Sequence, residues 1–335
     1  MATIHDVARE AGVSIATVSR SLNGAARVNP ETRRRVIETA EALNFRPNLA
    51  ARGLATGKLG NVGVLLPDVS NPFFGPIVAG IAQVAQERRF GMFLADSRED
   101  PSVEPELVAR LSQQVDGLIL IASRLEDDDV RVFAQRRPTV LVNRLVDGVD
   151  GVAIDAAQGM DDLLTHLARM GHTSVLYLDG PAASRSGRAK RAGLTAAADR
   201  LGVDLRIAGP HAPTFAGGRA AAQKVVDSGR TAVIGFDDLI AWGLLTRVRE
   251  MGVDVPGRLS IAGFDDSLDE GMVTPGLTTI AARSGSMGTI AAEMLERRLA
   301  DVTLPPASEL LRSTLVVRGS TGPVESTREA ARAIG

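Results

Sequence analysis

Near the start of the chain, apolar residues recur at helical spacing. Ile4, Val7, Ala8 and Ala11 fall at i, i+3, i+4 and i+7. Thr3 precedes them as an N-cap, and Asp6 sits at the positive end of the same helix. Gly12 closes that helix, and Ser14 is the N-cap of a second, Ile15 to Leu22, with Val18 and Leu22 turned inward beside Val13. Ile15, Ala16, Ser19, Arg20 and Asn23 then face outward. Two short helices joined by a glycine-containing turn make a helix-turn-helix. Asn29-Pro30 supplies an N-cap and a first-turn proline for a third helix, striped by Val36, Ala40 and Leu43.

From Asn61 the pattern changes. Short apolar, β-rich runs are expected as strands at Asn61–Pro67, Gly91–Ser97, Gly117–Ser123, Thr139–Arg144, Ser174–Asp179, Thr231–Phe236, Leu259–Asp265 and Leu277–Ala282. Helical patterns lie between most of them, as at Phe73–Arg89, Asp155–Met170, Asp237–Met251 and Gly285–Leu299. Alternation of this kind predicts α/β architecture with parallel sheets covered on both faces. The stretch is too long for one compact core, so two lobes are expected.

Charge divides the chain at the same place. The 335 residues sum to −2, yet the segment through Lys58 carries nine Lys and Arg against five Asp and Glu, a net +4. The remainder holds 29 against 35, a net −6. A small basic head before a large acidic body is the asymmetry expected when one end meets a polyanion. There are no cysteines and four histidines, His5, His166, His172 and His211. This excludes disulfides, thiolate metal sites and cysteine nucleophiles, and no cofactor is expected. No apolar run is long enough to span a bilayer, and Met1 to Glu10 is charged without an apolar core, so a cytoplasmic protein with no membrane partner is expected.

The outward face of the second helix suits duplex DNA. Arg20 can fork onto a guanine edge, Ile15 and Ala16 can touch thymine methyls, and Thr17, Ser19 and Asn23 can reach phosphates. A purely structural helix pair has the same spacing. The residues also carry a resemblance. Thr3-Ile4-His5-Asp6-Val7-Ala8, Ala11-Gly12-Val13-Ser14, Thr17-Val18-Ser19-Arg20, Leu22-Asn23-Gly24, Val28-Asn29-Pro30-Glu31-Thr32-Arg33 and Asn44-Phe45-Arg46-Pro47-Asn48 are similar to the start of lac repressor/gal repressor family regulators. The resemblance implies double-stranded operator DNA as partner. Its expected DNA-binding residues are Thr3, Ser14, Ile15, Ala16, Thr17, Ser19, Arg20, Asn23, Asn29, Asn48 and Leu54. Leu49 to Leu54, interrupted by Gly53, resembles the family's hinge helix, whose Leu54 would wedge into the minor groove. On composition alone the same stretch is a plain linker. A phosphate-binding loop at Gly57-Lys58 is excluded because Leu59 stands where Ser or Thr is needed.

Ligands of open α/β sheets bind beyond the carboxyl ends of the strands. Those ends carry Asp68, Asn71 and Phe73-Phe74, then Ser97, Ser123-Arg124, Asn143-Arg144, Asp179, Asp237-Asp238 and Asp265-Asp266. Such acceptors and rings suit a hydroxyl-rich ligand, although Asp at a strand end is also a common helix cap, and one of Asp237 and Asp238 is expected to serve as one. Asp265 and Asp266 are neighbours whose side chains should diverge. Pro67-Asp68, Asn71-Pro72-Phe73-Phe74, Gly263-Phe264-Asp265-Asp266, Thr274-Pro275 and Leu315-Val316-Val317-Arg318 resemble the same family's effector domain. The resemblance implies a body like periplasmic sugar-binding proteins, two Rossmann-like lobes joined by three crossings, with the effector between them. By position Asn71, Phe73, Arg188, Lys190, Asp237 and Asp265 would line the cleft, joined by Ser123 from its strand end. Asp237 stands where many relatives have Asn, Lys190 where many have Arg, and Pro213 where an aromatic often stacks, with Phe215 or Trp242 as substitutes.

The expected organisation is a helix-turn-helix at 1–46, a hinge at 47–60, and an effector-binding and dimerising body at 61–335. Its N-lobe covers about 61–155 plus 285–320 and its C-lobe about 156–284. A solute-binding protein would lack the basic head. A sugar enzyme would need a paired acid and base or an activated nucleophile, and no such constellation is present. The reading is a repressor, not an enzyme, acting as a homodimer and switched by a small carbohydrate.

Overall fold

A computed structural model of the chain describes residues 2–22, 28–45, 58–268 and 271–324. It divides into two compact units, one ending at Gly60 and the other beginning at Asn61. The first holds α1 (Ile4–Glu10), α2 (Ile15–Leu22) and α3 (Pro30–Ala42) around a small core. Val7, Val18 and Val36, one from each helix, meet in that core with no solvent exposure. Burying each contributes about 1.5–3 kcal/mol, and the buried Ala8, Ala11 and Ala40 let the helices close around them.

The second unit contains two parallel sheets. The first is built from β1 (Asn61–Leu66), β2 (Gly91–Asp96), β3 (Gly117–Ile121), β4 (Thr139–Val142), β5 (Asp150–Ile154) and β11 (Ser308–Leu311), in the order β11-β5-β4-β3-β1-β2. Around it are α4 (Phe74–Glu87), α5 (Glu104–Ser112), α6 (Asp127–Arg136) and α11 (Ser284–Ala300). The second sheet holds β6 (Ser174–Leu178), β7 (Asp204–Ala208), β8 (Ala232–Gly235) and β9 (Ser260–Ala262), in the order β7-β6-β8-β9. Its helices are α7 (Ala156–Arg169), α8 (Arg185–Leu201), α9 (Phe215–Asp227) and α10 (Asp238–Glu250). An antiparallel ribbon, β10 (Thr279–Ala281) with β12 (Thr314–Val316), runs beside β9.

The eight expected strands are present but shorter at their carboxyl ends. The expected Leu259–Asp265 run stops at Ala262 because Asp265 and Asp266 take positive φ, +109° and +52°, which a ladder does not accommodate. Strands β5, β7, β11 and β12 escaped the sequence pattern. Asp150-Gly151 looks like a turn, and β7 is an edge whose charges break the apolar run.

The chain passes between the sheets three times, after β5, after β10 and after β11. Two of these passages are tied together. Asp155 N–H donates to Leu311 O at 2.8 Å, and Ser313 Oγ donates to Asp155 O at 3.2 Å. Beyond β12 the chain stays with the second sheet, where Ile261 N–H donates to Ser320 O at 2.8 Å.

Helices α9 and α10 cross at reciprocal glycines. A Cβ on Gly243 would lie 1.9 Å from Phe215 O, and one on Gly218 would lie 2.0 Å from Ile240 O. Backbone meets backbone there, so no side chain can move aside. Gly243→Leu is expected to destabilise the body by about 3 kcal/mol or more, since overpacking a tight contact costs about 1–3 kcal/mol even where neighbours can yield. Denaturant unfolding checks this; an unchanged midpoint would contradict the close crossing.

Candidate functional site

In the head, the caps form as the pattern predicts. Thr3 Oγ1 accepts from Asp6 N–H at 3.4 Å while Asp6 Oδ2 accepts from Thr3 N–H at 2.9 Å, a reciprocal box closing the start of α1. Ser14 Oγ accepts from Thr17 N–H at 3.2 Å, and Asn29 Oδ1 from Glu31 N–H at 2.9 Å. With Val18 fully buried, the opposite face of α2 exposes Ser14, Ile15, Ala16 and Arg20, with Thr17 and Ser19 half-buried. Arg20 lies back along its own helix, Nε donating to Ala16 O at 3.1 Å. Asn23, Asn48 and Leu54 lie outside the described residues.

In the body, the expected cleft residues fall into separate groups. Asn71 starts α4: its Oδ1 accepts from Phe73 N–H at 3.0 Å, and the Phe73 ring packs edge-on to Phe74 with centroids 5.1 Å apart. Ser123 is committed to a buried carboxylate, donating to Glu104 Oε2 at 2.7 Å; the same oxygen accepts from Arg124 N–H at 2.8 Å. Arg188 is exposed and lines a cavity of about 320 Å³ between the sheets, with Asn143, Arg144 and Arg185. Arg185 spans that gap, donating to Glu126 Oε2 at 2.7 Å. Phe215 and Trp242 pack on each other at 4.7 Å.

Lys190, Asp237 and Asp265 do come together. Lys190 rises from the second turn of α8 to the ends of β8 and β9. Its ammonium donates to Phe236 O at 2.8 Å and lies 3.8 Å from Asp265 Oδ1. It also sits over two rings, 4.4 Å from the centroid of Phe236 and 3.8 Å from that of Phe264. Asp237 is the cap of the pair, Oδ1 accepting from Ile240 N–H at 2.8 Å. Asp238 instead braces the next loop, accepting from Thr279 Oγ1 at 2.6 Å and Ser267 N–H at 2.7 Å. Asp266 turns away from Asp265 to meet Arg318 at 2.8 Å.

Burial governs the chemistry of these acids. It raises Asp237 to about 6, against the pull of the Ile240 amide and Lys190. Burial likewise lifts Asp238 to about 7 and Asp265 well above the carboxylate range, with Lys190 opposing the latter. Tyr177, on β6, has its hydroxyl buried without a hydrogen-bond partner and is pushed up by burial and by Asp179. No cluster of histidine and carboxylate groups among the described residues is arranged to hold a metal.

Residues 3–48 match the family described as bacterial regulatory proteins, lacI family, and residues 164–321 match a periplasmic binding protein-like domain. The chain is 32% identical to catabolite control protein A of Priestia megaterium over 330 residues, 95% of this chain and 99% of that one. The chain belongs to the lacI family. Among solved structures, it is similar to a lac repressor dimer bound to operator and the anti-inducer ONPF, with a TM-score of 0.86, 26% identity and coverage of 96% of this chain and 99% of that one. It is also similar to the transcriptional regulator CelR in complex with cellobiose, with a TM-score of 0.70, 26% identity and coverage of 96% and 100%. As a lacI-family member the chain is a DNA-binding transcriptional regulator and not an enzyme.

Within this family fold, the residues that sequence reasoning missed are the rings around Lys190, the brace of Asp238 and the buried Glu104. A signal for the first was present. Gly-Phe-Asp-Asp occurs twice, at Gly235–Asp238 and Gly263–Asp266, closing two neighbouring parallel strands. The repeat places a Phe and an Asp on either side of one ammonium.

Asp237 also has a measurable consequence for stability. Its pKa is raised in the folded state, so its contribution is fully present below the unfolded value near 3.8 and is lost as pH rises through about 6. Asp237→Asn, which keeps the cap, is expected to stabilise the body by roughly 2–3 kcal/mol at pH 7.5 and hardly at all at pH 4. Denaturant titrations at the two pH values read this; an equal effect at both would contradict the buried, ionised carboxylate.

Proposed function

We propose that this regulator is a cytoplasmic repressor that binds a pseudo-palindromic operator as a homodimer and is switched by a small carbohydrate held between two lobes of the body. Residues 1–46 read the major groove through α2. Residues 47–60 form a hinge that folds against the minor groove with Leu54 as its wedge, and residues 61–335 bind the effector and the partner chain. The N-lobe comprises about 61–155 plus 285–320 and the C-lobe about 156–284.

The observation that carries this reading is the exposed face of α2. Ile15, Ala16 and Arg20 point to solvent from a helix anchored by a fully buried Val18, and the basic head that presents them matches the lacI family over 3–48. Apolar and guanidinium groups on one helical face are what base edges in a major groove recognise. The carbohydrate reading is supported by the buried acceptors at Asp237 and Asp265 and by the cellobiose held by the similar CelR. Because effector and operator favour different arrangements of one molecule, each changes the affinity of the other by the same factor.

Arg20→Ala is expected to weaken operator binding by about 1–3 kcal/mol and to relax preference at one base position. A binding-site selection experiment with both proteins measures this; an unchanged sequence preference would remove α2 from the recognition role. Asp265→Asn is expected to reduce the effect of a sugar on operator affinity about tenfold or more, roughly 1.4 kcal/mol of coupling. The sugar is first found by thermal shift of the wild-type chain. A response as large as that of the wild type would place the effector elsewhere.

A further inference from the structure

Three carboxylates gather at the ends of β8 and β9, and they are not equally satisfied. Asp238 accepts from Thr279 and Ser267. Asp265 has the ammonium of Lys190 at 3.8 Å. Asp237 Oδ1 accepts from Ile240 N–H and the Leu239 amide also draws on the carboxylate, while its Oδ2 is buried with no partner in hydrogen-bond geometry.

The charges around Asp237 sharpen the point. Lys190, from α8, draws on it, and its donors are directed to Phe236 O and Asp265 between two ring faces. Asp238 opens α10 and Asp265 lies on the loop after β9 beside it, Glu99 acts on it from beyond β2, and Tyr177 lies on β6. Glu99 is itself paired with Arg124 at 2.6 Å. The cluster therefore presents two buried carboxylates, Asp237 and Asp265, to the Lys190 ammonium.

We propose that the effector brings an ammonium group to Asp237 Oδ2, and so is an amino sugar. The proposal rests on the body being the effector-binding part. An ionised carboxylate only accepts, so the group opposite it must donate. A hydroxyl would supply the hydrogen bond and leave the buried charge uncompensated, whereas an ammonium supplies both, and charge-assisted contacts of this kind are roughly twice as strong. A sugar phosphate or uronate would add negative charge beside the two buried carboxylates, Asp237 and Asp265. An Asn at this position can donate as well as accept and carries no charge, so the carboxylate at 237 alters which ligand the pocket selects.

The test uses the full-length protein at pH 7, above the Asp237 midpoint of about 6. Calorimetry is run with glucosamine, galactosamine and mannosamine, each beside its parent hexose, its N-acetyl derivative and its 6-phosphate. At least one hexosamine is expected to bind about tenfold more tightly than all three of its counterparts. Asp237→Asn is expected to reduce that advantage to within about twofold. Asp237→Ser, which also keeps a capping oxygen, serves as a second variant. A neutral or phosphorylated sugar that binds at least as tightly as its amine would overturn the ammonium assignment while leaving the cleft a sugar site. An amine advantage that persists in both variants would overturn the role of Asp237. Silence from the whole panel would count against the sugar-binding cleft itself, and against the proposal with it.

Discussion

Charge buried at the ends of β8 and β9 has to be balanced where it stands, and the ammonium of Lys190 is shared between Asp265, where it is the main opposing influence, and Asp237, where the Ile240 amide comes first. Without it, the buried Asp237 and Asp265 would repel each other with no ammonium between them and Phe236 O. The two phenyl rings and the Phe236 carbonyl fix the ammonium in place. The doubled Gly-Phe-Asp-Asp segment makes this possible, because parallel neighbours bring equivalent positions to the same edge. Isolated buried charge is costly, so a pocket of this kind persists where a ligand completes it.

The acidic cluster is continuous with the passages between the two sheets. Asp238 holds Thr279, where β10 begins, and β10 pairs with β12. The chain reaches β12 through Ser313, which is bonded to Asp155 at the first passage. The strand ends are therefore bonded to the segments that join the two sheets. Arg185 reaching Glu126 across the cavity is a second link between the same parts. On the proposed function, these are the segments through which a ligand's differential affinity would act.

Much of the fold was legible in the residues, for identifiable reasons. Caps and apolar stripes are local, so Thr3, Ser14, Asn29 and the Val18 side of α2 were readable without tertiary information. Central strands such as β3 are continuous apolar runs, and they too were evident. The edge strand β7 was not, because Arg206 and Asp204 interrupt its pattern, nor was β5, which opens with Asp150-Gly151. Site reasoning had a similar horizon. Strand-end position pointed to Asp237 and Asp265, which gather around Lys190, and equally to Ser123, whose hydroxyl donates to Glu104. Which polar strand-end residue is spent on structure depends on a partner far along the chain. Glu104 lies on a helix whose sequence gives no sign that its carboxylate is buried.

The central claim is that the relative position of the two lobes sets operator affinity. It can be tested without knowing the effector, because the chain has no cysteine. Arg185→Cys and Glu126→Cys, whose native side chains touch across the cavity, can be joined by a short bis-maleimide in the otherwise cysteine-free protein. Operator affinity is then compared between the joined protein and the same double variant capped singly at each thiol. The account predicts that fixing the lobes changes operator affinity about fivefold or more, corresponding to at least about 1 kcal/mol of coupling. Equal affinity in the joined and capped proteins would contradict it.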